Sequence, residues 1–338
     1  MASLLLYSPL ALIGLGAIAE RVARTRDGKR YSAPGNHREV GGHDLHYQSW
    51  GEQHFDRDPD APVVVLEAGA ADWSSHWGTL PEELGQFCTV IAYDRAGLGW
   101  SAPGSGSRDA DNMAKELHQL LKLVAPRRKA LIVAHGVGTW VARMYAHRYP
   151  FETAGLVLLD GEHEDFAEQA RRKGIPSSDA SLGMLRLLGM ANSLGICRAL
   201  RLPLTVPQLE GHGLPERTVA AMRSRGYMPA ILGAIRAEQE AKALSRSQVA
   251  ALKDKFEFPV RILAATRSTP PEAAGKGFPV EEHNEMYAQL QRKWKNLSKD
   301  SEFALIEGAH HYLAWCARDW VRDAVEDVYR TSMSITGA

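Results

Sequence analysis

Short apolar runs recur along the chain, each bounded by glycine, proline or polar residues. Pro62-Val-Val-Val-Leu-Glu-Ala-Gly69 comes first, and Thr89 to Arg95, Lys129 to Ala134, Gly155 to Asp160, Val260 to Ala265 and Phe303 to Ile306 repeat the pattern. Runs this short, with no polar alternation, predict strands buried on both faces. Between them lie apolar residues at helical spacing, over Pro81–Phe87, Asp111–Leu123, Thr139–His147, Pro279–Leu297 and Asp319–Tyr329. Strands alternating with helices predict βαβ units and a doubly wound, mostly parallel α/β sheet. Sites in such sheets form outside the carboxyl ends of the strands. Arg38 to Trp50 alternates about Gly41-Gly42 and predicts an antiparallel hairpin at one edge, with a polar loop over Glu52–Asp60 after it.

The alternation stops between Gly161 and about Lys255, where only helical patterns remain, among them Ala180–Leu188, Glu216–Arg223 and Pro229–Leu244. An all-helical insertion after the strand ending at Asp160 predicts a lid. The expected division is a core of residues 31–161 and 256–338, with residues 162–255 as the lid. Its apolar residues, Met184, Leu185, Leu187, Leu188, Met190, Leu194, Met222, Met228, Ile231 and Leu232, form the lid's own core or roof an apolar pocket. At the amino end, Leu4 to Ala19 is uncharged and largely apolar, and a basic flank, Glu20 to Arg30, follows. As a helix this run is about 24 Å long, short of the ~30 Å hydrocarbon core. Residues 1–30 read as a membrane anchor or as a buried or interfacial helix. The trailing basic flank sets the rest of the chain on the cytoplasmic side. Residues 31–37 are turn-formers and predict a linker.

Composition removes several classes of function. Lys+Arg and Asp+Glu balance at 40 each, so no nucleic-acid partner is expected. Cys88, Cys197 and Cys316 are scattered, which fits neither a metal site nor a disulfide framework. No glycine-rich phosphate loop occurs, so no cofactor is expected.

The chemistry concentrates after the third of these strands. Ala130-Leu-Ile-Val-Ala-His-Gly-Val-Gly-Thr-Trp140 reads as strand, sharp turn and helix, with Gly136 at the tip. Tyr93-Asp-Arg-Ala-Gly-Leu-Gly-Trp-Ser101, Leu66-Glu-Ala-Gly-Ala-Ala71, Leu158-Leu-Asp-Gly-Glu-His163 and Glu307-Gly-Ala-His-His-Tyr312 complete a set of five stretches. Together, from about Arg38 to the carboxyl end, they resemble the α/β-hydrolase family. The closest likeness is to a bacterial subgroup with an amino-terminal hydrophobic helix.

That resemblance implies a nucleophile at 136 on a Gly-x-Ser-x-Gly turn, His311 as base, and oxyanion N–H groups from Ala70 and Val137. His310 adjoins the base. The acid falls on Asp160, whose other reading is a helix N-cap at the start of the lid, with Glu272 in reserve. Asp94-Arg95 holds its turn together in this family. Trp73, Trp77 and Trp140 are candidates for ligand contact or for packing. His135 reads as a packing or supporting histidine.

Gly136 has no hydroxyl, and Val137, Gly138 and Thr139 offer none at the tip. The parent chemistry is hydrolysis of a small apolar ester, amide or lactone. Three readings follow. The chain has lost acyl-enzyme hydrolysis and binds an apolar acyl-type ligand, or it uses Asp160–His311 as a general base with no covalent intermediate, or it is a membrane-tethered binding module.

Overall fold

A computed structural model describes residues 2–176, 181–202, 204, 214–253 and 255–336, without the side chains of residues 2–10, 56, 335 and 336. In chain order the elements are α1 (Ala2–Arg30), the hairpin β1 (Asn36–Val40) and β2 (His43–Trp50), α2 (Gln53–Arg57), β3 (Val63–Glu67), α3 (Leu80–Leu84), β4 (Val90–Tyr93), α4 (Ala110–Val124), β5 (Ala130–His135), α5 (Gly138–Arg148) and β6 (Thr153–Leu159). Helices alone follow among the described residues, α6 (Phe166–Lys173), α7 (Leu182–Ser193), α8 (Ile196–Ala199), α9 (Glu216–Gly226) and α10 (Pro229–Ala250). The chain then returns to β7 (Val260–Arg267), α11 (Val280–Arg292), β8 (Ser301–His310), α12 (Leu313–Cys316) and α13 (Arg318–Thr336).

The eight strands form one sheet in the order β1-β2-β4-β3-β5-β6-β7-β8. The β1–β2 and β2–β4 pairs are antiparallel and the others parallel. Every residue of β3, β5 and β6 is buried, the outcome expected of apolar, β-branched strands covered on both faces. One cluster packs α4 and α5 on one face through Leu117, Leu120, Val141 and Tyr145. A second packs α3 and α13 on the other through Leu80, Leu84, Val321 and Val325. The helical face of α4 is legible in its buried Met113, Leu117, Leu120 and Leu121, and Asp109 caps it by accepting the Asn112 N–H (3.2 Å).

Some expectations change. The polar stretch after β2 holds the short helix α2 instead of an unbroken loop. The basic flank, Glu20 to Arg30, continues α1. A membrane-spanning helix is not supported, since among the described residues no helix is long and apolar enough to cross a membrane. The side chains of residues 4–10 of the apolar run lie outside those residues. The flank is charged for a reason seen in the packing. Glu20 is buried under Arg198 of α8, whose Nε donates to it at 2.8 Å and whose Nη1 donates to Asp27 at 2.7 Å.

Candidate active site

At the end of β5 the chain turns on Gly136 with φ +55°, in the left-handed region that glycine tolerates best. The turn is tied to the sheet by the Gly136 N–H donating to the Leu159 carbonyl (3.1 Å). The Thr139 hydroxyl donates to the Gly136 carbonyl (2.7 Å). Helix α5 then starts against β3 so closely that a Cβ at Gly138 would lie 2.5 Å from the Ala68 carbonyl oxygen. Only glycine permits that approach.

Asp160 directly follows β6 and holds φ +40°, a left-handed conformation that carries strain in a non-glycine residue. Its side chain is fully enclosed. Oδ1 accepts from the Ala265 N–H (3.0 Å), the Ser268 hydroxyl (2.9 Å) and the Gln291 amide (3.1 Å). Oδ2 faces His311 Nδ1 at 2.7 Å. Asp160 is therefore a buried partner of His311 and does not act as a helix cap. Glu272 lies elsewhere, exposed and paired with Arg267 at 3.2 Å.

Burial alone would raise the Asp160 carboxyl, but the hydrogen bond and charge of His311, with the Ala265 and Gln291 donors, hold it below the ordinary value. Burial likewise opposes a charged His311. The hydrogen bond and charge of Asp160, helped by Asp72 and Glu162, outweigh it and hold the imidazole above the ordinary histidine value. The His311 side chain remains 33 % exposed, so its free edge is open to a reactant. That edge is aimed at the turn, since a Cβ on Gly136 would lie 3.4 Å from His311 Nε2 and 3.7 Å from the Gly69 Cα.

Ala70 and Val137 line one cavity of about 80 Å³ beside the turn. Met113, Trp140 and Val141 supply apolar wall, and α10 roofs it with Ile235, Gln239 and Lys242. This roof differs from the apolar one expected. Of the apolar lid residues named from sequence, Met222 and Ile231 pack with Trp73 and Leu98 in a separate cluster, and Met184, Leu187 and Met190 are exposed. Trp73 is fully buried there, edge-on to His76, so it packs, whereas Trp140 lines the cavity. Arg95 joins Glu67 of β3 to Glu238 of α10 (both 2.8 Å), fixing the core turn to the lid.

A second buried carboxylate lies behind His311. Asp72 Oδ1 accepts from the Tyr312 hydroxyl (3.3 Å) and lies 3.3 Å from His76 Nε2; Oδ2 is 3.6 Å from His135 Nδ1. His135 in turn holds the His311 carbonyl through Nε2 at 3.1 Å, with the two rings 4.3 Å apart. Sequence reasoning missed Asp72, Tyr312, Ser268 and Gln291. Asp72 was visible only as a polar residue inside the loop after β3; Ser268 and Gln291 are ordinary polar residues that the fold brings to Asp160.

The sequence model of the alpha/beta hydrolase family matches residues 63–324. An uncharacterised Bacillus subtilis (strain 168) protein, YqjL, is 34% identical over 98 residues, 29% of this chain and 39% of that protein. The chain thus spans less than two fifths of the length of the curated relatives it matches. Among solved structures, a thermophilic esterase from Thermogutta terrifontis with malate bound superposes with a TM-score of 0.58 at 18% identity, covering 88% of this chain and 99% of that one. A point mutant of an epoxide hydrolase from Bacillus megaterium gives 0.61 at 15% identity, covering 87% and 100%. Likeness at these identities speaks for the fold.

Proposed function

The chain belongs to the alpha/beta hydrolase family, and from that premise we propose that it hydrolyses a small ester-, amide- or lactone-type substrate by general-base catalysis, with no acyl-enzyme. The observation that carries this reading is the pairing of His311 with Asp160 at 2.7 Å while Nε2 faces the side-chain-free turn at Gly136. A dyad held this firmly is built to move a proton. A glycine at the tip leaves the place of the usual hydroxyl to a water molecule.

In this scheme His311 Nε2 takes a proton from the water as its oxygen adds to the substrate carbonyl carbon. The Ala70 and Val137 N–H groups receive the developing oxyanion. Collapse of the adduct breaks the bond to the leaving group, which regains the proton from His311. Asp160 fixes the tautomer and steadies the imidazolium. No cofactor enters the scheme.

A fluorophosphonate probe with the unaltered protein and two variants tests it. The unaltered chain stays unlabelled, because no activated hydroxyl stands at the turn. Gly136→Ser becomes labelled, since a Cβ there clashes with nothing closer than 3.4 Å. Turnover of a panel of short-chain esters and lactones by the unaltered protein falls by about 10³ in His311→Ala. Labelling of the unaltered chain, or turnover indifferent to His311→Ala, refutes the reading.

A further inference from the structure

Exposed large hydrophobic side chains are concentrated in one part of the molecule. Of the fifteen among the described residues, ten lie on α1, α7 and α8 or directly after α8. We propose that α1 and the lid helices α7 and α8 together form a face that seats in the interfacial layer of an anionic lipid bilayer, lying on the membrane without crossing it. The inference is independent of the catalytic reading.

Helix α1 docks on the corner where α7 passes into α8. Arg24 Nη2 donates to the Asn192 carbonyl (2.9 Å), and Gly16 approaches the Leu194 carbonyl so closely that a Cβ would lie 2.6 Å from it. Glu20, Arg24 and Asp27, spaced by a helical turn, point into this joint. The opposite side of α1 carries Leu15 (63 % exposed), Ile18 (64 %) and Val22 (45 %). Across the joint, Leu187 (57 %), Met190 (61 %) and Leu200 (65 %) are turned out from the lid. Apolar surface gathered on adjoining helices marks an interaction site, where scattered single residues do not.

Charge identifies the occupant. Below Val22 the outer side of α1 continues into the exposed Arg26, Lys29 and Arg30, and exposed Arg201 adds a cation on the lid. The only acids of α1, Glu20 and Asp27, are taken inward by Arg198. An apolar stripe ending in unopposed cations suits a surface of anionic headgroups, each such cation adding to the attraction. A second copy of the chain would bring the same cations together and be repelled.

The full chain is sedimented with vesicles of phosphatidylcholine alone and of equal parts phosphatidylcholine and phosphatidylserine. It pellets with the second, and salt weakens the binding. The lid pair Leu187→Glu/Met190→Glu, with α1 untouched, lowers partitioning by at least about tenfold, as does Leu15→Glu/Ile18→Glu. Because a variant could fail to fold, melting curves accompany each. Arg26→Glu/Lys29→Glu, which alters exposed charge alone, loses binding to the anionic vesicles. The proposal is overturned if the unaltered chain ignores anionic vesicles, or if the lid pair binds as before so that α1 acts alone. Resistance to alkaline carbonate extraction, which marks a spanning helix, also overturns it, as does self-association in place of vesicle binding.

Discussion

His311 sits between two carboxylates that act on it differently. Asp160 holds Nδ1 directly, while Asp72 acts from behind through His135 and Tyr312. Both negative charges favour the imidazolium and work against the burial that disfavours it. A base must be neutral to accept a proton, so activity climbs with pH as His311 loses its proton, at a midpoint above the ordinary ~6.5. Stability runs the opposite way. The part that comes from the charged His311 is fully present below the ordinary histidine pKa and is lost as pH rises through the raised one. Asp72→Asn removes one negative charge, so the His311 midpoint falls in an NMR titration of its ring, and the rising limb of activity moves to lower pH with it. A midpoint that stays put would show that Asp72 only packs. Asp160→Asn is the harsher change, because it frees the tautomer as well, and activity drops by about 10²–10³, up to the loss expected of His311→Ala.

At the scale of the element, the strand-turn-helix from Ala130 to Arg148 shows what its residues require. Gly138 is where α5 starts against β3, and a Cβ there would meet two backbone oxygens, at 2.5 Å and 2.9 Å, that cannot move aside. Gly138→Ala therefore destabilises by about 3 kcal/mol in urea unfolding. At Gly136 only the left-handed backbone objects to a side chain, so Gly136→Ala costs about 1–2 kcal/mol. If the two substitutions cost the same with the turn intact, the close-approach argument fails. This element was legible from sequence because strand, glycine turn and helix are all local patterns, and the same holds for the other buried strands and for Asp160, which ends one of them. What escaped was set by long-range packing. Nothing in Gln291, Ser268 or Asp72 marks it as a neighbour of the Asp160–His311 pair, since each arrives there from a different element. The roof of the cavity escaped likewise. Apolar residues at helical spacing say that a helix has an apolar face, and leave open whether that face turns to the site, to its own core or outward. Met222 and Ile231 turned to a separate cluster, Leu187 and Met190 turned outward, and Ile235 with Lys242 took the roof.

Across the whole molecule, three bodies of structure meet at joints where specific charged groups stand beside packed side chains. The sheet and its flanking helices hold most of the buried apolar surface. The lid is tied to that core by Arg95, which bridges Glu67 and Glu238 while nearly fully buried. Helix α1 is tied to the lid in turn by Arg198, with Glu20 and Asp27. The two joints should differ in strength: Arg95 and Glu67 are both enclosed in the core, whereas Arg198 is partly exposed and the buried Glu20 keeps Arg24 as a partner when Arg198 is removed. Hydrogen exchange separates them. Arg198→Ala loosens the joint of α1 alone, so amides of residues 20–30 exchange faster while β5 and β6 keep their protection. Glu238→Ala removes the lid's carboxylate from Arg95, which keeps Glu67 and the Ala68 and Gly69 carbonyls, so protection falls in α10 and in the turn after β4. Should Arg198→Ala instead lower protection throughout the sheet, α1 would be part of the core's cooperative unit, and a face able to meet a membrane without disturbing the site would have no structural basis.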